Sequence, residues 1–276
     1  IGLKQVYYRV NSEGVPNNVL GQGVTGKSAY EIWLESGNTG SIKDFLNALT
    51  GSTGSPADFS TVAQAEASQL TTAVSHVVTQ GYAAPGDGGG ARFKRVVAEP
   101  AHEGKFSLTL DDGTTVVWYE IVSEKLRPEM FGGFPDGVTD AAAAAGKAMR
   151  VITARGGGVL SFEGVGTYRL ESQGIHPDAS GHQVAIHIPC DGVEIIIAQS
   201  ATLKLADDQQ SGASSPVEVI SWGGGRSNIC IQGGGTIQGN TAGQSAWTGG
   251  YQQNSSGTLI SSFGGGDSHI RIENLR

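Results

Sequence analysis

Residues Gly21 to Ser28 read GQGVTGKS and fit the phosphate-binding pattern G-x-x-x-x-G-K-[ST] letter for letter. In such a loop the backbone N–H groups wrap the phosphates, Lys27 would reach the outer ones and Ser28 would hold Mg²⁺. The chemistry requires a buried strand entering the loop and a helix leaving it, in a domain of alternating strands and helices. A second set of candidates is acidic. Glycoside hydrolysis uses two carboxyl groups facing one sugar, about 5–5.5 Å apart in retaining enzymes and about 6.5–9.5 Å apart in inverting ones. Asp191, Glu194, Asp207, Asp208, Glu218, Asp267 and Glu273 lie in the C-terminal half. On a strand the adjacent Asp207 and Asp208 would point to opposite faces, which favours a solvated turn for them. No pair is singled out, and the catalytic residues stay unassigned. Aromatic rings stack on sugars through a large apolar face with a polar edge. Trp222, Trp247 and Tyr251, in Gly/Ser-rich stretches, are candidates for that role or for packing within the fold. His176, His182, His187 and His269 have no metal-ligand spacing, and Cys190 and Cys230 cannot complete a zinc site. A G-x-S-x-G nucleophile signature is absent from the sequence. No metal and no cofactor is expected.

The elements that must position these residues are mostly strands. The chain has 276 residues, 43 of them glycine, about twice the usual share of roughly 7%. Only 16% of residues are charged, against an average near 25%. The glycines have no G-X-Y period, which excludes collagen. A net charge of −8 leaves no basic stripe for nucleic acid. No apolar run approaches the 18 or more residues of a membrane span, and the first residues lack the apolar core of a signal peptide. Two cysteines are too few for a disulfide framework, and both read as buried free thiols in short strands.

Composition divides the chain into four stretches. Residues 1–51 open on a strand-like run, LKQVYYRV, and end in a short helix that Ser41 caps and Gly51 stops. Residues 52–80 read as a helical linker. Ser55-Pro56 starts the helix, and Phe59, Val62, Leu70, Ala73 and Val77 form a narrow apolar stripe that suits a coiled coil or a neighbouring domain. Residues 81–127 form a small β domain: turn chemistry accounts for the Gly86–Gly90 cluster, and Asp112-Gly113 joins two alternating runs as a hairpin.

From 128 to 276 one helix, capped at Thr139 or Asp140 and stopped by Gly156, precedes short strands only. DGVEIII, RSNICI and DSHIRI recur 36 and 41 positions apart, counting from Val193 to Ile229 to Ile270. Such repetition without intervening helices predicts a coil of parallel strands whose inward Val, Ile and Leu stack rung upon rung. The Ala-rich helix would cover the first rung, where open strand edges invite aggregation. The last strand, HIRI, is followed by no closing device, so the coil is expected to continue beyond residue 276.

The stretch FGGFPDGVTDAAAAAGKAMRVITARGGGVLSFEGVGTYRL resembles the opening of the pectate-lyase-like right-handed β-helix of bacteriophage tailspikes. Pro135 stands where that pattern has its first glycine, and Ala141 where a second Asp is common. GKSAYEIWLESGNTGSIKDFLNALTG is similar to a module near the N-termini of tail fibres and tailspikes, and GYAAPGDGGGARF to the connector that precedes their β-helix. GGGTIQGN, with Trp247 after it, resembles an early rung of polygalacturonases, whose catalytic segments find no match here.

The resemblance implies a mainly β chain: attachment modules with short helices and a small β domain, then the first rungs of a right-handed parallel β-helix with a capping helix. It implies a homotrimer in the virion tail, docked to tail or baseplate proteins through residues 1–127, acting outside the host cell. Its partner would be host capsule or O-antigen polysaccharide, which many such β-helices cleave and others only bind. A free secreted lyase or hydrolase would need neither upstream module. The tail-fibre module also accounts for Gly26, Lys27 and Ser28 without a nucleotide, so neither ATP nor GTP is expected at Gly21–Ser28.

Overall fold

A computed structural model describes residues 8–10, 16–19, 28–37, Ile42, Phe45, 57–68, 74–174, Pro177, 182–209, 217–244 and 259–276. The chain divides into two compact units, Ile1–Ser55 and Pro56–Arg276.

In the first unit, strands β1 (Tyr8–Val10) and β2 (Pro16–Val19) form an antiparallel pair. Helix α1 (Ala29–Glu35) follows. Ser28 caps it through a capping box: Glu31 N–H donates to Ser28 Oγ at 3.2 Å, and Ser28 N–H donates to Glu31 Oε2 at 2.6 Å. Gly37, at φ +91°, ends the helix in a conformation glycine adopts without strain. None of the residues of α1 is buried; Tyr30, Trp33 and Phe45 gather their rings within 5.7–6.1 Å of one another. Ile42 and Phe45 are helical, whereas the expected cap Ser41 and stop Gly51 lie outside the described residues.

In the second unit, the expected helical linker is a strand, one helical turn and a strand. Strand β3 (Ala57–Phe59) pairs in parallel with β4 (His76–Thr79), and the short helix α2 (Val62–Glu66) lies between them. Long-range pairing overrides the helical spacing here. Val77 is fully buried within the sheet and Phe59 half-buried at its edge, so the two do not share a helix face. Leu70 and Ala73, the middle of the expected stripe, lie outside the described residues. The sheet continues through β5 (Arg92–Val96), β7 (Val116–Ile121) and β6 (Lys105–Thr109), in the order β3-β4-β5-β7-β6. In its core Phe93 meets Phe106 edge to face at 4.9 Å, and Phe106 stacks on Tyr119 at 5.1 Å. The β6–β7 hairpin turns at Asp112-Gly113, with Gly113 at φ +72° and the Asp112 carboxylate accepting from Thr114 N and Thr115 N.

The C-terminal half is a coil of three parallel sheets. The first stacks β8 (Lys125–Leu126), β10 (Gly158–Phe162), β13 (Val193–Ile197), β16 (Cys230–Gly233) and β19 (Arg271–Ile272). The second stacks β9 (Asp136–Asp140), β11 (Gly166–Leu170), β14 (Ala201–Leu205) and β17 (Thr236–Gln238). The third stacks β12 (Gln183–Ile188), β15 (Val217–Gly223) and β18 (Ile260–Phe263). Glu194 pairs with Cys230 and Cys230 with Arg271, which reproduces the 36- and 41-residue repeat.

β13 and β14 bury alternate residues, β15 is buried along its whole length, and buried side chains line up in columns from rung to rung. Leu126, Leu160, Ile195 and Ile231 are in register and fully buried in the first sheet. Tyr168, Leu203 and Ile237 form the column of the second, and Ile186, Ile220 and Ile260 that of the third. A parallel sheet has to be covered on the face it hides, and a closed coil does this with its own other walls.

The corner before the first sheet explains the repeated motif. Gly192, Asn228 and His269 occupy equivalent positions with φ of +68°, +57° and +54°. Glycine and asparagine enter the left-handed region most readily, and histidine is enriched there too.

Helix α3 (Ala141–Ala154) caps the coil. Asp140 accepts from Ala142 N at 2.9 Å, and the helix packs Ala141, Ala144, Ala145, Ala148, Met149 and Ile152 against the first rung. Small alanines let the helix come close enough to cover three strands at once. Among the described residues no helix is long and apolar enough to cross a membrane. Cys190 and Cys230 are free thiols, half-buried rather than buried, because both sit at turns of chain or on the outer side of the sheet.

Candidate functional site

After the first rung, two corners of the coil are short, with connections of two to seven residues. The corner between the second and third sheets is different. Its three connections span 171–182, 206–216 and 239–259, of which 175–176, 178–181, 210–216 and 245–258 lie outside the described residues. Long loops on a rigid scaffold are where binding and catalytic groups concentrate.

Amides and acids tie these loops together from rung to rung. Asp140 accepts from Glu171 N at 3.0 Å and from Gln173 Nε2 at 3.1 Å. Ser172 donates its N–H to Gln209 Oε1 and its hydroxyl to Gln183 Oε1, both at 2.8 Å. Asn240 Nδ2 donates to Asp207 Oδ1 at 2.7 Å, and Gln244 Nε2 to the Ala206 carbonyl at 2.8 Å. Beside them Glu218, 1% exposed on β15, bonds to His182 Nδ1 at 2.9 Å. Burial pushes the Glu218 carboxyl above its ordinary range, and the His182 bond offsets part of that. The His182 imidazole is one-third exposed and lies 4.4 Å from the Phe263 ring. Carboxamides, carboxylates and an imidazole in one corner supply both donors and acceptors, the complement of a hydroxyl-rich ligand.

The sequence-derived acids mostly stitch neighbouring rungs. Asp191 accepts from Ser227 N at 3.0 Å and Oγ at 3.1 Å, and Glu194 accepts from Gln232 Nε2. Asp207 and Asp208 form an exposed turn, with Asp208 at φ +57°. Glu273 pairs with Arg271 at 3.0 Å. Asp267 accepts from Ser262 Oγ, from Arg226 N at 3.0 Å and from Trp222 Nε1 at 3.2 Å. The Ser262 bond, with the others, holds its carboxyl below the usual range.

Trp222 is not in an exposed loop. It lies in β15, 3% exposed, with its indole N–H on Asp267, so its ring faces are taken up by packing within the chain. Trp247 and Tyr251 lie outside the described residues. Among the described residues no group of three or more His, Cys, Asp or Glu could hold a metal ion.

The phosphate-binding pattern has little of its required setting. Residues 21–27 lie outside the described residues, but the strand before them belongs to an antiparallel pair and the helix after them has seven residues. The Ser28 hydroxyl is engaged in the capping box.

The glycine cluster at 86–90 does bind an anion, and the anion is internal. Asp87 Oδ1 accepts from Tyr82 N and Gly89 N, and Oδ2 from Ala83 N and Ala84 N, at 2.8–3.0 Å. Burial opposes its charge, yet the four backbone donors keep the carboxyl below its usual value. A phosphate would find these donors occupied. The sequence reading missed this hub, whose signal is an Asp inside a glycine-rich turn.

No family model and no curated protein sequence matches the chain. Solved structures do. A candidate glycosyl hydrolase from Parabacteroides merdae matches at 24% identity and a TM-score of 0.41, over 55% of this chain and 66% of its own. WceF of Pantoea stewartii, a glycan biofilm modifying enzyme with a bacteriophage tailspike-like parallel β-helix fold, matches at 12% identity and a TM-score of 0.31, over 81% of this chain. Tailspike protein 2 of the Escherichia coli O157:H7 bacteriophage CAB120 matches at 12% identity and a TM-score of 0.28, over 96% of this chain. The chain spans less than two thirds of the first of these and 42% and 44% of the other two. Its structural neighbours thus include tailspike-like parallel β-helix proteins, and the coil described above rests on its own strand register.

Proposed function

We propose that this chain is the virion-proximal part of a phage tailspike, with residues 1–127 attaching it to the tail and the coil recognising host capsule or O-antigen polysaccharide. The observation that carries the reading is the order of parts. A tail-fibre-like segment, a glycine-turn β domain, a capping helix and a stack of parallel rungs follow one another as in the tailspikes that the sequence resembles. The corner of long loops, rich in carboxamides and acids, supplies groups that match sugar hydroxyls. In the full-length protein the coil cleaves the polysaccharide, as a hydrolase or a lyase, and the protein works as a homotrimer outside the host cell.

Incubating the full-length protein with host capsule or O-antigen, and measuring new reducing ends and unsaturated uronates, tests this. Release of shortened chains supports depolymerisation. Binding without cleavage favours a receptor-binding fibre, and neither binding nor cleavage overturns the proposal. One observation favours the binding-only reading for these 276 residues: Asp191, Glu194, Asp207, Glu218, Asp267 and Glu273 are each engaged with a neighbouring strand, corner or side chain. The piece alone is accordingly expected to release no product.

A further inference from the structure

Glu129 is a buried acid that none of the chemistry above uses. It lies in the 3-10 helix Pro128–Phe131, 2% exposed, where the glycine turn of the β-sheet domain meets the first rung. Oε1 accepts from the Tyr168 hydroxyl at 2.5 Å, and that hydroxyl accepts from Gly164 N at 2.8 Å. Oε2 is buried with no hydrogen-bond partner, as is Nε of Arg127.

Three glycines from two directions close around this residue, two of them against its side chain. A Cβ on Gly88 would stand 3.4 Å from Glu129 Cγ, one on Gly89 would stand 2.4 Å from the Glu129 carbonyl oxygen, and one on Gly164 would stand 2.8 Å from Oε1. Arg127 completes the junction by donating Nη2–H to the Gly90 carbonyl at 3.3 Å. The side chain therefore lies between the turn and the coil, with Oε2 out of reach of bulk solvent.

We propose that Glu129 is a proton-operated latch at this junction: neutral, it joins the glycine turn to the first rung, and ionised, it loosens them. A buried carboxylate needs several donors or a close cation to offset its lost hydration. Here one oxygen has a single donor and the other has none. The charged or titratable groups around it are Tyr168 on β11, Glu163 in the β10–β11 turn, Arg127 on its own segment and Asp87 in the glycine turn. Arg127 pairs with Glu163 at 3.7 Å, which Lys125 also approaches at 3.8 Å, and its charge offsets only part of the cost of burying Glu129. Glu163 repels a charge on Glu129.

The direction follows from linkage. Burial raises the folded-state pKa of Glu129 above the ordinary 4.5, and the Tyr168 bond lowers it in part. Its contribution is complete below pH 4.5 and fades as pH rises through the raised value. Asp87, held low, acts in the opposite direction: its contribution is lost only as pH falls below the ordinary Asp range. The two are separated by working above pH 4.5. Glu218 titrates in the same direction as Glu129, so a global melting curve would mix them and the readout must be local.

The test is amide hydrogen exchange of the full chain at Gly89 and Gly164, expressed as protection relative to the unfolded rate at each pH. In the wild type, protection should fall with rising pH, by up to about tenfold per unit, the limit for one linked proton. E129Q, neutral at every pH, should flatten that dependence, while Y168F, which removes the acceptor of Gly164 N–H, should keep it at Gly89. Wild-type protection at these amides that does not change with pH overturns the latch, even if E129Q fails to fold. A slope in E129Q equal to the wild type also overturns it, because some other group then carries the proton.

Discussion

Ile195 offers the sharpest test of how the coil is held together. It is fully buried in the first sheet, in register between Leu160 and Ile231. Ile195→Ala removes three carbons at about 0.8 kcal/mol each, or roughly 2.5 kcal/mol of transfer free energy. The flanking rungs are fixed by their own hydrogen-bond ladders and close the gap only in part. The cavity term then brings the loss to about 3–4 kcal/mol, within the range of about 2–5 kcal/mol for such changes. Ile196→Ala is the internal control. Ile196 is next in sequence, half-buried, and points to the opposite side of the same strand. Its replacement should cost less, about 1–2 kcal/mol, since part of its surface stays in water in the folded state. Urea unfolding of the two variants, compared by midpoint at unchanged slope, measures the difference. Equal losses, or a larger loss at Ile196, would mean that the strand's alternation has been assigned to the wrong face and would refute the columns described above.

Four further outcomes are expected. Asp87→Ala should destabilise the β-sheet domain by about 2–3 kcal/mol, since four backbone donors lose a charged acceptor. The wild-type domain should weaken as pH falls through the depressed Asp87 value, and the variant should lack that acid sensitivity in a pH series of melts. Gly157→Ala should destabilise the coil by more than about 1 kcal/mol in urea titrations. Its φ is +135°, and a Cβ there would stand 2.8 Å from the Gly192 carbonyl. Removing residues 1–55, the first compact unit, should leave a chain with native circular dichroism that no longer joins phage particles. Particle incorporation of that shortened chain would place attachment outside residues 1–55. Light scattering of the intact protein should give the mass of three chains, and a monomeric mass at micromolar concentration would exclude the trimer.

The place of that cut is itself a structural result. The composition of the chain puts the start of the coil at residue 128. Strand β8 at Lys125–Leu126, however, already pairs with β10, and Glu129 bonds to Tyr168. A chain beginning at Phe131 would lose a strand of the first sheet and its buried acid together.

What the sequence determined by itself was periodic or local. The spacing of DGVEIII, RSNICI and DSHIRI fixed the register of the first sheet, because each rung must present the same face to the same core. Asp112-Gly113 specified its hairpin, and Asp140 with its run of alanines specified the capping helix, since turns and caps are settled within a few residues. What only the tertiary structure decided was burial and pairing between distant residues. The helical spacing from Phe59 to Val77 gave way to strands because Val77 pairs with Phe93 and Tyr119 fills the core beneath them. Trp222 stands in a Gly/Ser-rich stretch, yet Asp267, 45 positions on, draws its indole into the wall of the coil. Glu129 carries no local sign of its environment. Gly88 and Gly164 are brought against it by two separate turns of chain, and no pattern read along the sequence can register a contact made across it.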